Sequence, residues 1–330
     1  MSTTIERPRA LASGLTLALV SATTFGSSGV GAKALIEAGW TPGGAVLARL
    51  AGGAAVLLLI GTVAYRGRWP LTPGSLRVLV IYGAVAMAGT QFAFFNAVRT
   101  LDVGVALLIE FLAPVLLLAW NAMRTRTLPA RLTLIGAGTA LAGLVLVIDP
   151  RGAGPLDVVG VAWALAAAVG LSAFFVLSSR DSSGLPALVM AAGGTLVGAV
   201  LVGTAGLVGL IPVRMTTERA VLAGSEVAWW VPALWLVLVA TVGAYLTGIG
   251  AITRLGSRVA SFVGLTEVLA AVLIAWLVLS ELPGTPQLIG GILILGGIVL
   301  VQRDTRAAVQ TLMQQAAPSA ASEEGPGWNL

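Results

Sequence analysis

Hydrophobic residues along this chain fall into long continuous runs. They lack the strict alternation of half-buried strands and the one-sided stripes of soluble helices. Runs of about 20 apolar residues are long enough to cross a bilayer as helices. The pattern predicts ten of them, at 11–32, 43–64, 77–98, 103–122, 132–148, 157–178, 185–212, 228–251, 259–280 and 284–301. Continuous apolar runs favour helices over a barrel, whose strands alternate between lipid and lumen. The intervening connections are short and leave no room for an inserted soluble domain. Arg7 and Arg9 precede the first run as they would precede a signal peptide. At 22 residues, however, the run exceeds a signal sequence's apolar core and ends at Lys33. It is expected to be an uncleaved first helix.

The ten runs predict an all-α membrane protein, and composition agrees. Of 330 residues, 57% are hydrophobic and 10% charged, against roughly a quarter charged in soluble domains. Too few charges remain to clothe a soluble globule of this size. The chain has no histidine and no cysteine. This excludes His-dependent triads, His or Cys metal sites, thiol chemistry, haem ligation and disulfides. No catalytic residue, metal site or cofactor is expected. A pI near 10.6 raises the question of nucleic acid, but the basic residues are scattered singly between apolar runs. Nucleic-acid binders cluster them on one face, so no nucleic-acid partner is expected.

The scattered basic residues read instead as topology signals. With the N-terminus in the cytoplasm, 13 of the 19 Lys and Arg residues face inward, 5 face outward (Lys33, Arg99, Arg151, Arg214, Arg219), and Arg49 lies within a helix. The positive-inside rule then predicts a multi-pass plasma-membrane protein with both termini cytoplasmic, which requires an even number of helices. Residues 1–10 form a cytoplasmic segment. The small, polar stretch 303–330 is expected to be a disordered cytoplasmic tail, its start able to continue the last helix.

A repeat organises the helices. Shifted by 154 positions, residues 83–148 align with 237–302 without a gap and with 17 identities in 66 positions. The densest part pairs 128–147 with 282–301, ten identities in 20, including Pro129/Pro283, Gly136/Gly290 and Gly143/Gly297. The units are therefore 11–148 and 157–302, each of five helices. An odd helix number makes the second unit enter the membrane from the opposite side. The fold expected is ten transmembrane helices as two inverted five-helix repeats. This organisation is typical of secondary transporters, with the substrate site near the midplane.

Three charges lie well inside predicted helices: Arg49, Glu110 and Glu267. A central charge costs roughly 2.5–3.5 kcal/mol on insertion scales and is normally kept only against a cavity or a partner. A carboxylate there can bind a proton or a substrate ammonium group, or serve structurally as a partner of Arg49. Pro114 lies mid-helix, four residues after Glu110, and is expected to kink helix 4. Gln91, Asn96 and Tyr245 are candidate pocket polars, although such groups in membrane helices also make ordinary helix–helix hydrogen bonds. Lys33 can join the site or simply snorkel to the interface. The segment GSSGVGAK at 26–33 looks like a phosphate loop, but Ala32 follows Gly31 and Ala34 follows Lys33, so ATP binding is rejected.

Over about 9–302 the chain resembles the drug/metabolite transporter superfamily with paired EamA domains. The telling stretches are 32–53, 82–114 and 252–291. The second is similar to the threonine/homoserine exporter branch through Gly104, Val105, Ala106, Glu110, Phe111 and Pro114. Gln91, Lys33 and Arg49 also stand where that branch has an amide, a lysine and an arginine. Two departures are plain. The usual Glu-Pro of helix 9 is Glu267-Val268, and the usual Leu-Gly-Glu before the last helix is Leu279-Ser280-Glu281. The resemblance implies a polytopic inner-membrane permease that exports a small-molecule solute through a cavity between the repeats.

The expected function is a secondary exporter of small metabolites such as threonine- or homoserine-like amino acids, working by alternating access. Glu110 and Glu267 would be the cation or proton sites, and Arg49 or Lys33 the partner of a substrate carboxylate. The alternative is an exporter of drugs or a lipid-linked precursor. A membrane-embedded enzyme or sensor is the distant alternative, with Lys33 the only lysine for a Ser–Lys mechanism. The partners expected are the solute and the lipid bilayer, with a homodimer a possible assembly.

Overall fold

The computed structural model describes residues 3–126, 129–148, 157–179 and 185–316. Arg151, Arg180 and the tail from 317 lie outside the described residues. The fold is built almost wholly of helices. In chain order they are α1 (Thr3–Gly26), α2 (Ser28–Glu37), α3 (Pro42–Ala64), α4 (Pro73–Tyr82), α5 (Thr90–Ala97), α6 (Val103–Glu110), α7 (Ala113–Thr125), α8 (Arg131–Ile148), α9 (Val158–Ser179), α10 (Ala187–Leu207), α11 (Trp230–Leu234), α12 (Ala244–Gly264), α13 (Thr266–Leu279) and α14 (Thr285–Ala316). π-Helical segments join α4 to α5 (Gly83–Gly89) and α11 to α12 (Trp235–Gly243). Eight helical stretches among the described residues are long and apolar enough to cross a membrane, and two shorter apolar helices, Thr266–Leu279 and Thr285–Val301, follow. The chain is a multi-pass membrane protein.

The predicted spans overlap these elements, α1 starting earlier at Thr3 and α10 ending earlier at Leu207, with four further differences. The first helix continues to Glu37 but breaks at Ser27. The fourth breaks at Phe111–Leu112, where the backbone tightens into i→i+3 hydrogen bonds from Leu112 to Ile109 and from Val115 to Leu112. Pro114 sits in the first turn of α7, where its missing N–H costs nothing, so the expected kink is a full interruption just before the proline. The connection expected at 252–258 is helical, as α12 runs to Gly264 before a break at Leu265. Finally, α14 continues to Ala316, beyond the predicted end at 301 and into the start of the tail, which the sequence left able to continue the last helix. Its 32 residues span about 48 Å, well over a bilayer core.

Helix partnerships exchange under the 154-residue shift. The helix α1 lies along α12 as α9 lies along α5, while α3 packs on α10 and α8 on α14. The last pair is antiparallel and nearly side-chain-free at its crossing: Gly136 faces Gly297 and Gly143 faces Gly290. A Cβ built on Gly143 would stand 2.5 Å from the carbonyl oxygen of Gly290, so only glycine permits this approach.

One end of the bundle is covered by the segment between α10 and α11. It carries a two-stranded antiparallel hairpin, β1 (Ala220–Leu222) and β2 (Ser225–Val227), turning through Ala223 and Gly224, both at positive φ. The pattern of apolar runs carries no signal for it. Trp40 Nε1 donates to the carbonyl of Thr216 (2.8 Å), and the Thr216 hydroxyl donates to the carbonyl of Ala38 (2.6 Å). At the head of α9, Asp157 accepts from the Gly160 N–H (2.8 Å). That bond, followed by one from the Thr100 side chain, holds the Asp157 carboxyl below the usual carboxylate range.

Candidate functional site

The centre of the bundle is built around Arg49, which α3 carries inward until the residue is only 4% exposed. Its Nε donates to the hydroxyl of Thr241 (3.0 Å) and its Nη2 to the carbonyl of Ala240 (3.2 Å). Both acceptors belong to the π-helical segment before α12. A π-turn widens the helix and releases carbonyls from the ordinary i→i+4 ladder, which is why such turns often mark functional sites. The Thr241 hydroxyl itself donates five residues back, to Leu236 (2.8 Å). The matching segment of the first half does the same, with Thr90 donating to Val85 (2.9 Å). The guanidinium lies over the ring of Phe95, 5.7 Å from its centroid.

Glu110, Glu267 and Tyr245 all lie within electrostatic reach of Arg49. Yet no carboxylate among the described residues comes within 4.0 Å of the guanidinium. Its two bonds go to neutral acceptors, and Nη1 is used by neither. Glu110 is the last residue of α6, buried, immediately before the break at Phe111. Glu267 is half-buried in the first turn of α13, immediately after the break at Leu265. The two breaks fall within one residue of equivalence under the 154-residue shift. The second occurs without the proline that the family resemblance associates with it. Each acid therefore flanks a helix interruption, one on either side.

Gln91 and Tyr245 approach the same centre. The Tyr245 hydroxyl donates to Met87 Sδ at 3.1 Å, and Gln91 Nε2 stands 3.9 Å from that sulfur, while the Gln91 carbonyl oxygen is buried without a hydrogen-bond partner. Phe25 packs edge-on against Tyr245, centroids 5.1 Å apart.

Two expected residues lie elsewhere in role or place. Asn96 spends its amide on the carbonyl of Phe92 one turn back (2.7 Å), the ordinary use of a polar group in a membrane helix. Lys33 stands at the hairpin end, paired with Glu281 and 4.0 Å from Asp102, away from Arg49. Sequence reasoning missed Thr241, Met87 and Phe95. Only Thr241 left a trace, as a polar residue in an apolar run. Among the described residues, no cluster of three acidic groups is placed to hold a metal ion.

A buried cationic centre flanked by two acids, inside a bundle of apolar spanning helices, defines a membrane protein with a polar interior. Comparison with known proteins identifies the class. The EamA-like transporter family matches residues 12–149 and again 158–303, and the chain belongs to that family as a two-repeat membrane transporter. It is similar to an uncharacterized inner membrane transporter, YicL, of Salmonella typhimurium, at 26% identity over 69% of this chain and 73% of that protein. A solved crystal structure shares the fold, with a TM-score of 0.56 at 20% identity, covering 90% of this chain and 99% of the other.

Proposed function

We propose that the protein is a secondary exporter of small zwitterionic metabolites, of the size and charge of threonine or homoserine. It works by alternating access of two inverted five-helix repeats, ten helices in all, with both termini cytoplasmic. The antiparallel glycine crossing of α8 on α14 supports the inverted arrangement, because equivalent helices of inverted repeats run in opposite directions. The observation that carries the substrate class is the state of Arg49. Its charge is held on a hydroxyl and a carbonyl, without an ion-pair partner, beside two acids that themselves accept no hydrogen bond among the described residues. A substrate carboxylate fits the free edge of the guanidinium. A substrate ammonium, or a proton in its place, fits Glu110 and Glu267. Coupling to protons would run through these carboxylates, since the chain has no histidine.

The test is efflux of labelled threonine, homoserine and a panel of zwitterions from loaded proteoliposomes, for the wild type and for Glu110→Gln and Glu267→Gln. Wild-type flux that both substitutions reduce supports the reading, and unchanged flux in both removes the assigned roles.

A second reading, export of apolar drugs or a lipid-linked precursor, has one observation in its favour. A cavity of about 340 Å³ lies between α6, α13 and α14, away from Arg49. It is lined mainly by apolar side chains, of which Leu269, Leu273, Trp276 and Ile292 are exposed on the outside of the bundle. Saturable flux of a hydrophobic cation, with none of any zwitterion, would select this reading.

A further inference from the structure

An ion pair crosses between the two halves at the hairpin end of the bundle, and no corresponding pair occurs at the other end among the described residues. Glu281 follows α13 through Ser280, which adopts a left-handed conformation (φ 60°) and turns the chain back across the bundle. Its Oε1 pairs with Lys33 Nζ of α2, and its Oε2 accepts from the backbone N–H of Val103 at the head of α6 (2.8 Å). Lys33 also donates to the carbonyl of Leu101 (3.1 Å). One carboxylate from the second half thus ties together two helices of the first. The pair is largely enclosed, the two side chains being 14% and 11% exposed.

The hairpin fastens the same elements independently. Ala220 packs with Ala34 and Ala38 of α2, and the Ala223 N–H donates to the carbonyl of Val278 near the end of α13 (2.8 Å). The tied helices are also the interrupted ones. The short helix α2 begins at the Ser27 break, α6 ends at Phe111–Leu112 and α13 begins at Leu265. The α1 and α13 breaks adjoin each other, with Gly26 lying against the carbonyl of Glu267.

We propose that Lys33 and Glu281 form the latch of a gate at the hairpin end. Its moving parts are α2 and α13, which separate about Ser27 and Leu265. This rests on the transporter reading only for its purpose. The geometry of the latch is independent of the solute. Breaking one partner leaves the other charge enclosed and unpaired, which favours the open state where water reaches it.

The test exploits a chain free of cysteine. Ser28→Cys places a near-isosteric thiol at the first residue of α2, where the serine is buried. Leu210→Cys, on an exposed residue of the covering segment, marks the hairpin face. Labelling uses a membrane-impermeant thiol reagent on vesicles of both orientations. From the hairpin face, Ser28→Cys should react slowly. Lys33→Met or Glu281→Gln should raise its rate about tenfold, and Lys33→Arg should not. Glu281→Gln retains an oxygen for the Val103 N–H, so it separates loss of the latch from loss of the helix cap if Lys33→Met fails to fold. Unchanged labelling in Glu281→Gln, or an equal rise from both faces, overturns the latch. A latch-dependent rise with no flux of any solute in the wild type overturns the exporter reading and leaves the gate standing.

Discussion

Gln91 and Tyr245 stand 154 positions apart, at equivalent places in the two halves, and both converge on one atom, the Sδ of Met87. Met87 itself is the equivalent of Thr241, which holds Arg49. The two halves thus meet at the centre through matched positions that carry different chemistry, so the site inherits the repeat's geometry without its symmetry. This asymmetry gives a first prediction. Tyr245→Phe removes the hydroxyl donor and Met87→Leu removes the acceptor. A net hydrogen bond contributes about 0.5–1.5 kcal/mol, so each should weaken solute affinity by about twofold to tenfold. The double variant should do little more than either alone. Additive losses in a transport KM series would show that the pair does not act as a unit.

A second prediction concerns how Arg49 is held. Lysine keeps the charge but lacks the planar fork that reaches Thr241 and Ala240 together while leaving an edge free. Arg49→Lys should reduce transport at least about tenfold, the loss expected when a charged group loses hydrogen bonds of 1.5–3 kcal/mol. Thr241→Val, which leaves the guanidinium one acceptor short, should show a smaller loss. Thr241→Ser, which restores the hydroxyl, should return transport close to the wild type. Equal activity of the Val and Ser variants would separate Thr241 from the positioning of Arg49.

The two acids proposed to bind the cation should differ in consequence. Glu110 is buried at the end of α6, whereas Glu267 is half-buried at the start of α13. Glu110→Gln should therefore act mainly on flux driven by a proton gradient. Glu267→Gln, at the more exposed of the two acids, should act mainly on solute KM. The measurement is gradient-driven against exchange flux in proteoliposomes. Identical profiles for the two variants would mean that one shared site, not two, binds the cation.

Much of the fold was legible because it depends on length and apolarity, which the chain states openly. The first-half signal around Gly136 and Gly143 repeats at Gly290 and Gly297, and these glycines meet where the halves cross. The helix interruptions were less legible. Pro114 announced one, but the breaks at Ser27 and Leu265 carry no proline to announce them. The π-helical segments left no mark at all, since a widened turn depends on which carbonyls find outside partners. The pairing of Lys33 was illegible for a related reason. Its partner Glu281 is 248 positions away, and no periodicity links a helix residue to a loop of the other half.

The glycine crossing yields the last prediction, on stability alone. A side chain at Gly143 would meet backbone, the carbonyl of Gly290 and the amide of Ile294, and backbone of two packed helices has little freedom to retreat. Gly143→Val should therefore push α8 from α14, costing about 1–3 kcal/mol as overpacked sites do, and lower the melting temperature in detergent. Gly138 lies on the same helix with nothing within 4 Å of a built Cβ, and its φ is ordinary. Gly138→Ala should leave the melting temperature unchanged or raise it slightly, because alanine is the better helix former. The contrast within one helix removes propensity as an explanation. If both variants melted alike, the close approach of the two halves at this crossing would not be what holds them together.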